Sequence, residues 1–391
     1  MKINSQSMKL LNERLILKTL VEKGFLTRIE LSRTTGLTPS TIGRIIYDLV
    51  EMGFVEEGAQ VQTSPLGRKA TSLFLTKKFC SSVVFNVGVE QTEVAIGYLD
   101  KSTEKLYEFP TETLSKFIVH VNDFLELIEK EQPVDPERTS VVFAFPGIVD
   151  PRKAEIVYAP NLNWRNVRLR DLIHCRQPIF ADNEANLSIL AESAISEDVK
   201  KSGNAFFLYV SQGIGGGVMI NHQILRGERF AGAEVGHTVV EARSDVKCHC
   251  GNYGCLERFA SLSLPVAEYE KSGKKLTGKT LAEKFDSLVK ANKRGEQKAR
   301  RALKDFLYYL SIGIINIVNT FNPKIIIMGG DSDSIWRNFG EELYERISER
   351  SMPKTLDGVI FRDTVFSGRT ASIVGGNIMA IEHMIETLKV L

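Results

Sequence analysis

Four residues with metal-binding side chains lie close together in the second half of this 391-residue sequence. His237 is followed by Cys248, Cys250 and Cys255 in the stretch CHCGNYGCLE. One imidazole and three thiolates form the complete tetrahedral set that closed, structural zinc sites use. We therefore predict a structural zinc ion that fixes this loop and contributes to its folding free energy. His249 could replace His237 as a ligand, although its position between two ligands favours a solvent-facing role.

Predicted strands end in clusters of glycine. FFLYVSQGIGGGVMI contains Gly213, Gly215 and Gly216, and KIIIMGGDSD contains Gly329 and Gly330. Glycine at a strand end lets backbone N–H groups approach phosphate or sugar oxygens closely. The same clusters could form structural hairpins, so by themselves they leave both interpretations open.

The first eighty residues predict three helices followed by two short strands. We expect helices from about Met8 to Lys23, over residues 28–35 after the cap Thr27, and from Thr38-Pro39 to about Met52. Strands are expected at 54–56 and 73–75. The apolar residues that we expect to face inward are Leu11, Leu15, Ile16, Leu17, Leu20 and Val21 in the first helix, Ile29 and Leu31 in the second, and Ile42, Ile45, Ile46 and Leu49 in the third.

Two short helices joined by a glycine-containing turn form the helix-turn-helix pattern of DNA-binding domains. Ser40, Thr41 and Arg44, near the start of the second of these helices, are expected to face the major groove. The loop SPLGRK between the two strands resembles a basic wing, in which Arg68 and Lys69 contact phosphates or a minor groove. We therefore predict double-stranded operator DNA as a partner. Because such proteins commonly read two half-sites as symmetric dimers, a palindromic operator and a homo-oligomer are implied.

The bulk composition agrees with a multidomain protein of the cytoplasm. Hydrophobic residues make up 43% and charged residues 25% of the chain, and no apolar run approaches the roughly 20 residues of a membrane span. The N-terminus lacks the apolar stretch of a signal peptide. Residues 1–78 hold twelve Lys and Arg against seven Asp and Glu, whereas the rest carries a net charge of −3. A small basic segment on a mildly acidic body is typical of a DNA-binding head on an effector domain.

From residue 82 onwards strands and helices alternate, which predicts an α/β body. This region resembles the ROK family of bacterial sugar repressors and sugar kinases. The resemblance rests on the Pro146-Gly147 turn, APNLNW at 159–164, DNEAN at 182–186, GIGGGV at 213–218, GAEVGH at 232–237, CHCGNYGCLE, and MGGD at 328–331. It implies the actin-like, hexokinase-type two-lobe ATPase fold, preceded here by a winged helix-turn-helix domain similar to that of the family's repressors for xylose and N-acetylglucosamine. We predict a DNA-binding domain at 1–78, a first lobe at 79–195 plus about 372–391, and a second, zinc-bearing lobe at 196–371.

The resemblance also implies a sugar site between the lobes. By motif position its residues are backbone at Gly147 and the side chains of Asn183, Glu184, Glu234, His237 and Glu257. His237 would offer one ring nitrogen to zinc and the other to the sugar.

The phosphate half of the family site departs from the kinase pattern. Family kinases carry Asp-x-Gly-Gly-Thr-Lys where this chain reads NVGVEQ at 86–91. Asn86 lacks the charge that helps to hold magnesium, and Val89 and Glu90 add bulk and negative charge beside the phosphates. Glu184 replaces the catalytic aspartate of the kinases. The glycines predicted to be vestigial nucleotide-binding positions are Gly88, Gly213, Gly215, Gly216, Gly329 and Gly330.

The sequence therefore predicts a sugar-responsive transcriptional regulator, of the repressor type, that acts as a homodimer or homotetramer. Two alternatives stay open. One is an ATP-dependent sugar kinase with a DNA-binding head, in which Mg-ATP is the cofactor and Glu184 the catalytic base. The other is a body that binds a phosphorylated partner protein. The sequence does not distinguish a hexose, a pentose, an N-acetylated sugar or a disaccharide as the effector.

Overall fold

The computed structural model describes residues 5–61, 70–131, 135–332 and 334–388. Its N-terminal part, called the head below, packs three helices against a small antiparallel sheet of order β1-β3-β2. The elements of the head are α1 (Ser5–Lys23), β1 (Leu26–Thr27), α2 (Arg28–Thr35), α3 (Pro39–Glu51), β2 (Val55–Val61) and β3 (Ala70–Leu75).

The ends of α2 and α3 follow from local chemistry. The Thr27 hydroxyl accepts from the Glu30 N–H, and the Glu30 carboxylate accepts from the Thr27 N–H, which is a capping box. Gly36 ends α2 in the left-handed conformation, with φ of 72°. Thr38 caps α3 by accepting from the Thr41 N–H, with proline at the first helical position. The predicted limits of both helices are confirmed to within one residue.

The burial pattern of the head corrects part of the predicted core. Every apolar residue predicted to be buried in α3 is fully buried, as is Leu31 in α2. Ile29, however, is 54% exposed. Residues two apart on a helix point about 200° apart, so Ile29 and Leu31 cannot share one face. Leu11 and Leu15 are also exposed, because they lie one turn apart on the side of α1 opposite Ile16 and Leu20. The wing residues Arg68 and Lys69 lie outside the described residues.

The first half of the body contains a five-stranded sheet of order β11-β7-β4-β5-β6, with β4, β7 and β11 parallel and β5 and β6 antiparallel. A small sheet of order β10-β9-β8 adjoins it. The elements are β4 (Cys80–Val87), β5 (Gln91–Tyr98), β6 (Thr103–Pro110), α4 (Leu114–Glu131), β7 (Ser140–Phe145), β8 (Ile148–Asp150), β9 (Glu155–Ala159), β10 (Trp164–Arg168), β11 (Ile179–Asn183), α5 (Glu184–Ile195) and α6 (Glu197–Ser202).

The second half contains a five-stranded sheet of order β14-β13-β12-β15-β16, in which β12, β15 and β16 are parallel. Its elements are β12 (Ala205–Val210), β13 (Ile214–Ile220), β14 (Gln223–Ile224), α7 (Glu257–Ala260), α8 (Ser263–Lys271), α9 (Leu281–Lys293), α10 (Gln297–Phe321), β15 (Ile325–Gly330), α11 (Ile335–Arg350), β16 (Ile360–Asp363) and α12 (Thr370–Thr387). The predicted lobe boundaries at residues 195 and 371 stay predictions.

The central strands are buried on both faces, which explains their continuous apolar sequences. Every residue of β7, β12 and β15 is buried. Helices α5 and α12 pack closely against each other beside the sheets, and a side chain at Gly375 would collide with the Leu187 backbone. Within the described ranges, no helix is long and apolar enough to cross a membrane.

The core of the head continues into the body. Leu99 from the body and Ile381, Met384 and Ile385 from α12 are buried in the same cluster as the head residues. The Arg14 guanidinium also donates to the Leu388 carbonyl. The last helix of the chain therefore completes the core of the first domain, which the sequence did not predict.

Candidate functional site

The ends of strands from both five-stranded sheets surround one cavity of about 280 Å³. This volume lies at the lower end of ligand pockets, so it suits one small molecule. All residues of the predicted sugar set line the cavity, namely Gly147, Asn183, Glu184, Glu234, His237 and Glu257. The structure therefore brings together residues that are up to 110 positions apart in the sequence.

Most of the hydrogen-bonding capacity of Asn183 is used by the fold. Its Oδ1 accepts from the N–H groups of Ala185 and Asn186, which caps α5, and its Nδ2 donates to the Gly147 carbonyl. An amide nitrogen carries two hydrogens, so one donor of Asn183 is left for a ligand. Gly147 has φ of 123°, and a side chain there would collide with the Tyr158 carbonyl. The DNEAN motif therefore holds the backbone of the cavity wall in place and also supplies side chains that line the cavity.

Glu184 is the most perturbed acid in the cavity. Its pKa is raised to about 8, mainly by burial; Arg369 opposes this rise, and the carboxylates of Asp331, Glu257 and Glu234 contribute to it. Its Oε2 lies 4.0 Å from Nη2 of Arg369. At neutral pH a carboxyl with this pKa is mostly protonated, so it can both donate to and accept from a sugar hydroxyl.

Three further polar side chains, from segments outside the strands of the second half of the body, line the cavity. Nε2 of His237 lies 4.0 Å from Oε2 of Glu234. Glu257, the first residue of α7, accepts from the Ile214 N–H at 3.3 Å through Oε2. Burial raises the pKa of the Glu234 carboxyl, while the nearby imidazole lowers it. These groups offer several hydrogen-bond acceptors within one small volume, which suits a polyhydroxylated ligand.

The four predicted metal ligands form one cluster beside the cavity. One ligand atom from each of His237, Cys248, Cys250 and Cys255 lies within 4.8 Å of the others. The Cys250 and Cys255 sulfurs are 3.8 Å apart, and Nδ1 of His237 is 3.6 Å from the Cys248 sulfur. Two thiolates bound tetrahedrally at about 2.3 Å from zinc are separated by about 3.8 Å, so this donor set fits a closed site. The cluster can hold a metal ion.

The conformation of the loop that carries the cysteines lets the four ligand atoms come close together. The Cys248 N–H donates to the Asn252 carbonyl at 2.8 Å. Gly251 and Gly254 have φ of 96° and 72°, which side chains rarely adopt. His249 is exposed and is not part of the cluster, which agrees with the predicted solvent-facing role.

Arg369 lines the cavity beside the turn at 86–91, which the resemblance associates with phosphate. This residue directly precedes α12, and its Nη1 donates to the Gln91 carbonyl at 3.2 Å. Its Nη2 approaches Oδ1 of Asn86 to 3.4 Å, and its Nε lies 3.8 Å from Oδ1 of Asp331. A side chain at Gly88 would collide with the guanidinium. A half-buried cation of the protein itself, with a side chain 16% exposed, thus lies against that turn.

The predicted nucleotide-binding glycines fall into two groups. Gly88, Gly213 and Gly215 line the cavity. Gly216, Gly329 and Gly330 do not, although all three belong to the described ranges. They face other parts of the second sheet, where a side chain would collide with Phe206, Phe207 and Val210 respectively. For these three glycines the structure supports the interpretation as close-packing positions.

Several lining residues were not among the predicted site residues. Asn161 belongs to the APNLNW motif, and its buried Oδ1 makes no hydrogen bond within the described residues, so that motif could have indicated it. Asp331 likewise ends the MGGD motif. Arg369 stands 185 positions beyond Glu184, and no local pattern connects the two. By contrast, Asp182 of DNEAN is structural, because its carboxylate is bound by Arg226 at 2.6 Å.

The predicted DNA-contacting residues of α3 lie on the solvent side of the head. Ser40 and Arg44 are exposed and Thr41 is half-buried. The Ser40 and Thr41 hydroxyls lie 3.0 and 2.9 Å from the Thr38 hydroxyl. Within the described residues Arg44 has no ion pair or hydrogen bond, so its guanidinium is available to a ligand.

The raised pKa of Glu184 predicts a pH-dependent stability. An unfolded-state glutamate titrates near 4.3, so the folded protein keeps a proton that the unfolded chain loses between about pH 4.3 and about pH 8. The proton on Glu184 stabilises the folded protein fully below about pH 4.3, and this stabilisation is lost as the pH rises through about 8. We expect Glu184→Gln to become progressively more stable than the parent protein from pH 5 to pH 8.5, as measured by urea unfolding.

The exposed Glu197→Gln variant is the matched control, and its stability difference from the parent should not grow over this range. A difference for Glu184→Gln that is constant with pH would contradict the assigned pKa.

Comparisons with known proteins agree with this geometry. Residues 83–357 match the ROK family, and residues 11–56 match a winged helix-turn-helix DNA-binding domain. The chain is 29% identical over 363 residues to a xylose repressor of Caldicellulosiruptor bescii, which covers 89% of this chain and 90% of the relative.

Two solved structures illustrate the fold. A ROK family transcriptional regulator, a homologue of the E. coli MLC protein, has a TM-score of 0.72 at 22% identity and covers 97% of each chain. A ROK family glucokinase from Streptomyces griseus, in complex with glucose and AMPPNP, has a TM-score of 0.64 at 18% identity and covers 76% of this chain and 98% of its own. The chain therefore belongs to the ROK family, with the sugar-kinase-like fold that its sequence predicted and an N-terminal winged helix-turn-helix domain.

Proposed function

We propose that this chain is a sugar-responsive transcriptional repressor whose head binds operator DNA and whose cavity binds the sugar effector. The observation that carries the proposal is the contrast between the two halves of the cavity. The sugar half presents the complete predicted set of polar groups, whereas Arg369 and its acidic neighbours occupy the phosphate half. The relation to a xylose repressor supports the same assignment.

The effector that suits this cavity is a neutral sugar. Glu234 and Glu257 accept from ligand hydroxyls, and His237 and protonated Glu184 can supply donors. Three other acidic side chains line the cavity on the side of Arg369, namely Glu90, Glu93 and Asp331. An approaching phosphate group would meet their negative charge in a poorly screened site. A phosphorylated sugar or a nucleotide is therefore disfavoured.

The kinase alternative lacks the features that phosphoryl transfer needs. That reaction depends on positioning the phosphates and neutralising their charge. Asn86 donates toward Glu93 and the Arg369 carbonyl, so it is part of the internal network.

We propose zinc as the metal held by His237, Cys248, Cys250 and Cys255. When bound, zinc would supply structural cross-linking and fix the tautomer of the imidazole. Because Nδ1 of His237 lies on the sulfur side, Nε2 remains directed to the Glu234 side of the cavity. The Cys248 sulfur also lies 3.7 Å from Oε1 of Glu257, so the same loop positions two sugar-binding side chains.

On the DNA side, we propose that Ser40, Thr41 and Arg44 contact base edges and phosphates of the major groove. Arg68 and Lys69 of the wing would add phosphate or minor-groove contacts. A homodimer or homotetramer would place paired heads on a palindromic operator in the cytoplasm.

Helix α12 provides a direct route between the sugar and the DNA. At 18 residues it is about 27 Å long. Arg369, which lies 4.0 Å from Glu184 in the cavity, directly precedes its N-terminal end, and its C-terminal end supplies Met384 and Ile385 to the core of the head. A sugar that binds Glu184 changes the surroundings of Arg369. We propose that this change moves α12 and reorients the head.

The function predicts a sugar-dependent change in operator affinity. The operator is first obtained by in vitro selection, and its Kd for the protein is measured by fluorescence anisotropy at fixed salt with each neutral sugar of a panel that starts with D-xylose. One sugar of the panel should change this Kd about fivefold or more. The same sugar with Mg-ATP should release no ADP in a coupled assay.

The double variant Glu234→Gln, Glu257→Gln should bind the operator normally and lose the sugar response. A panel without any effect would contradict the proposal. A response retained by the double variant would favour another effector, such as a phosphorylated partner protein.

The metal assignment predicts about one zinc ion per chain by mass spectrometry. Cys250→Ser should lose zinc, unfold at a lower temperature and bind the sugar about tenfold more weakly, because the loop no longer positions His237 and Glu257. Cys175→Ser, which changes a half-buried cysteine outside the cluster, is the control. Zinc content unaffected by Cys250→Ser would contradict the site.

The proposed role of α12 predicts that its packing against the head is needed for the sugar to change the affinity for the operator. Met384→Ala, which removes a buried contact with the head, should reduce the sugar-induced change in operator Kd while calorimetry shows unchanged sugar affinity. Met379→Ala is the matched control, because Met379 packs against a cluster that contains only body residues. Equal sugar responses in the two variants would contradict the route.

A further inference from the structure

Gly43 lies at a position where neither the packing of the protein nor the conformation of the helix requires a glycine. It lies in the interior of α3, where glycine is less favourable than any residue except proline. A side chain built at Gly43 would have no atom within 4 Å. Seven other glycines of the described ranges that have such open space adopt positive φ, namely Gly24, Gly36, Gly53, Gly251, Gly273, Gly295 and Gly368. Gly43 has ordinary helical backbone, so conformational freedom does not account for it.

Close packing within this chain does not account for Gly43 either. At Gly97, Gly217 and Gly375 an added side chain would collide with neighbouring atoms of the protein. Gly43 is half-buried and stands at the edge of the outer surface of α3, about 100° from Ile42 around the helix axis, and the space that its side chain would occupy is open. The absence of a side chain therefore leaves a gap on the outer surface of the head.

The residues around this gap are those of a nucleic-acid-binding face. Ser40 stands three positions before Gly43 and Tyr47 four positions after it, so the three lie along one side of the helix. Arg44 is adjacent and exposed, and Tyr47 is 65% exposed. Within the described residues Tyr47 has no hydrogen bond or ring contact, so this aromatic side chain is available to a ligand.

We propose that Gly43 is the point of closest approach between α3 and the base edges of B-form DNA, and that it is a specificity-determining position of the head. The major groove is about 12 Å wide, and a helix with its side chains is about 10–12 Å across. Groove and helix are therefore closely matched, and one missing side chain lets the backbone come nearer to the bases. Ser40 and Tyr47 then lie over the flanking base pairs. This inference rests on DNA binding by the head.

The experiment compares folding and binding in Gly43→Ala, Gly43→Ser and Gly43→Val of the full chain. The half-site is first determined by in vitro selection with the parent protein, and each variant is then measured on the selected site and on a scrambled duplex. Alanine is a better helix former than glycine, so Gly43→Ala should unfold at the same or a higher temperature. On the selected site its Kd should rise at least tenfold, with a larger rise for valine.

The scrambled duplex at low salt separates this role from general DNA binding. Non-specific affinity depends on phosphate contacts, so it should change less than twofold in Gly43→Ala. A selected-site Kd within twofold of the parent value, in a folded Gly43→Ala, would overturn the inference. If the parent protein selects no DNA sequence, the proposed function of the head fails, and that result is recognised before any variant is made.

Discussion

The guanidinium of Arg369 is the charge on which the arrangement of the cleft depends. It is held by the Gln91 carbonyl and Asn86 from the first sheet and lies near Asp331 from the second sheet and Glu184 at the start of α5. Removing one partner of a buried charged group leaves the others uncompensated, which is strongly destabilising. A single internal cation thus connects the strand ends of both sheets, balances the acidic cavity and adjoins the helix that ends in the head.

The position of Arg369 also distinguishes this cavity from what the active site of a kinase requires. A kinase must leave room for phosphates and an external cation, whereas this chain fills that room with its own cation. Glu234, His237 and Glu257 of the predicted sugar set lie beside the loop that carries the cysteines, whereas Glu184 lies 4.0 Å from Arg369. Under the proposed function, the binding energy of the sugar at Glu184 would be available for moving α12.

Local chemistry explains how far the sequence predicted this structure. The limits of α2 and α3 were predictable because capping residues and glycine stops act over three or four positions. The cluster of His237 with Cys248, Cys250 and Cys255 was predictable because these residues lie close together in the sequence and their side chains share one chemistry. Ile29 was assigned to the wrong face because it lies two positions before Leu31, and residues at this spacing point to different sides of a helix. Gly329 and Gly330 were candidates for ligand binding, yet Phe207 and Val210 pack against them.

By itself the sequence determined the order of the domains, the α/β class of the body and the Cys and His residues that cluster beside the cavity, and it predicted the polar side chains that line the cavity, since each depends on residues that lie close together or in a motif. Only the tertiary structure decided that Arg369 occupies the phosphate half, that Asn183 is largely committed to capping α5, and that α12 completes the core of the head. These outcomes depend on contacts between residues up to several hundred positions apart. No local pattern encodes such contacts, because they form only when the two sheets and the head pack together.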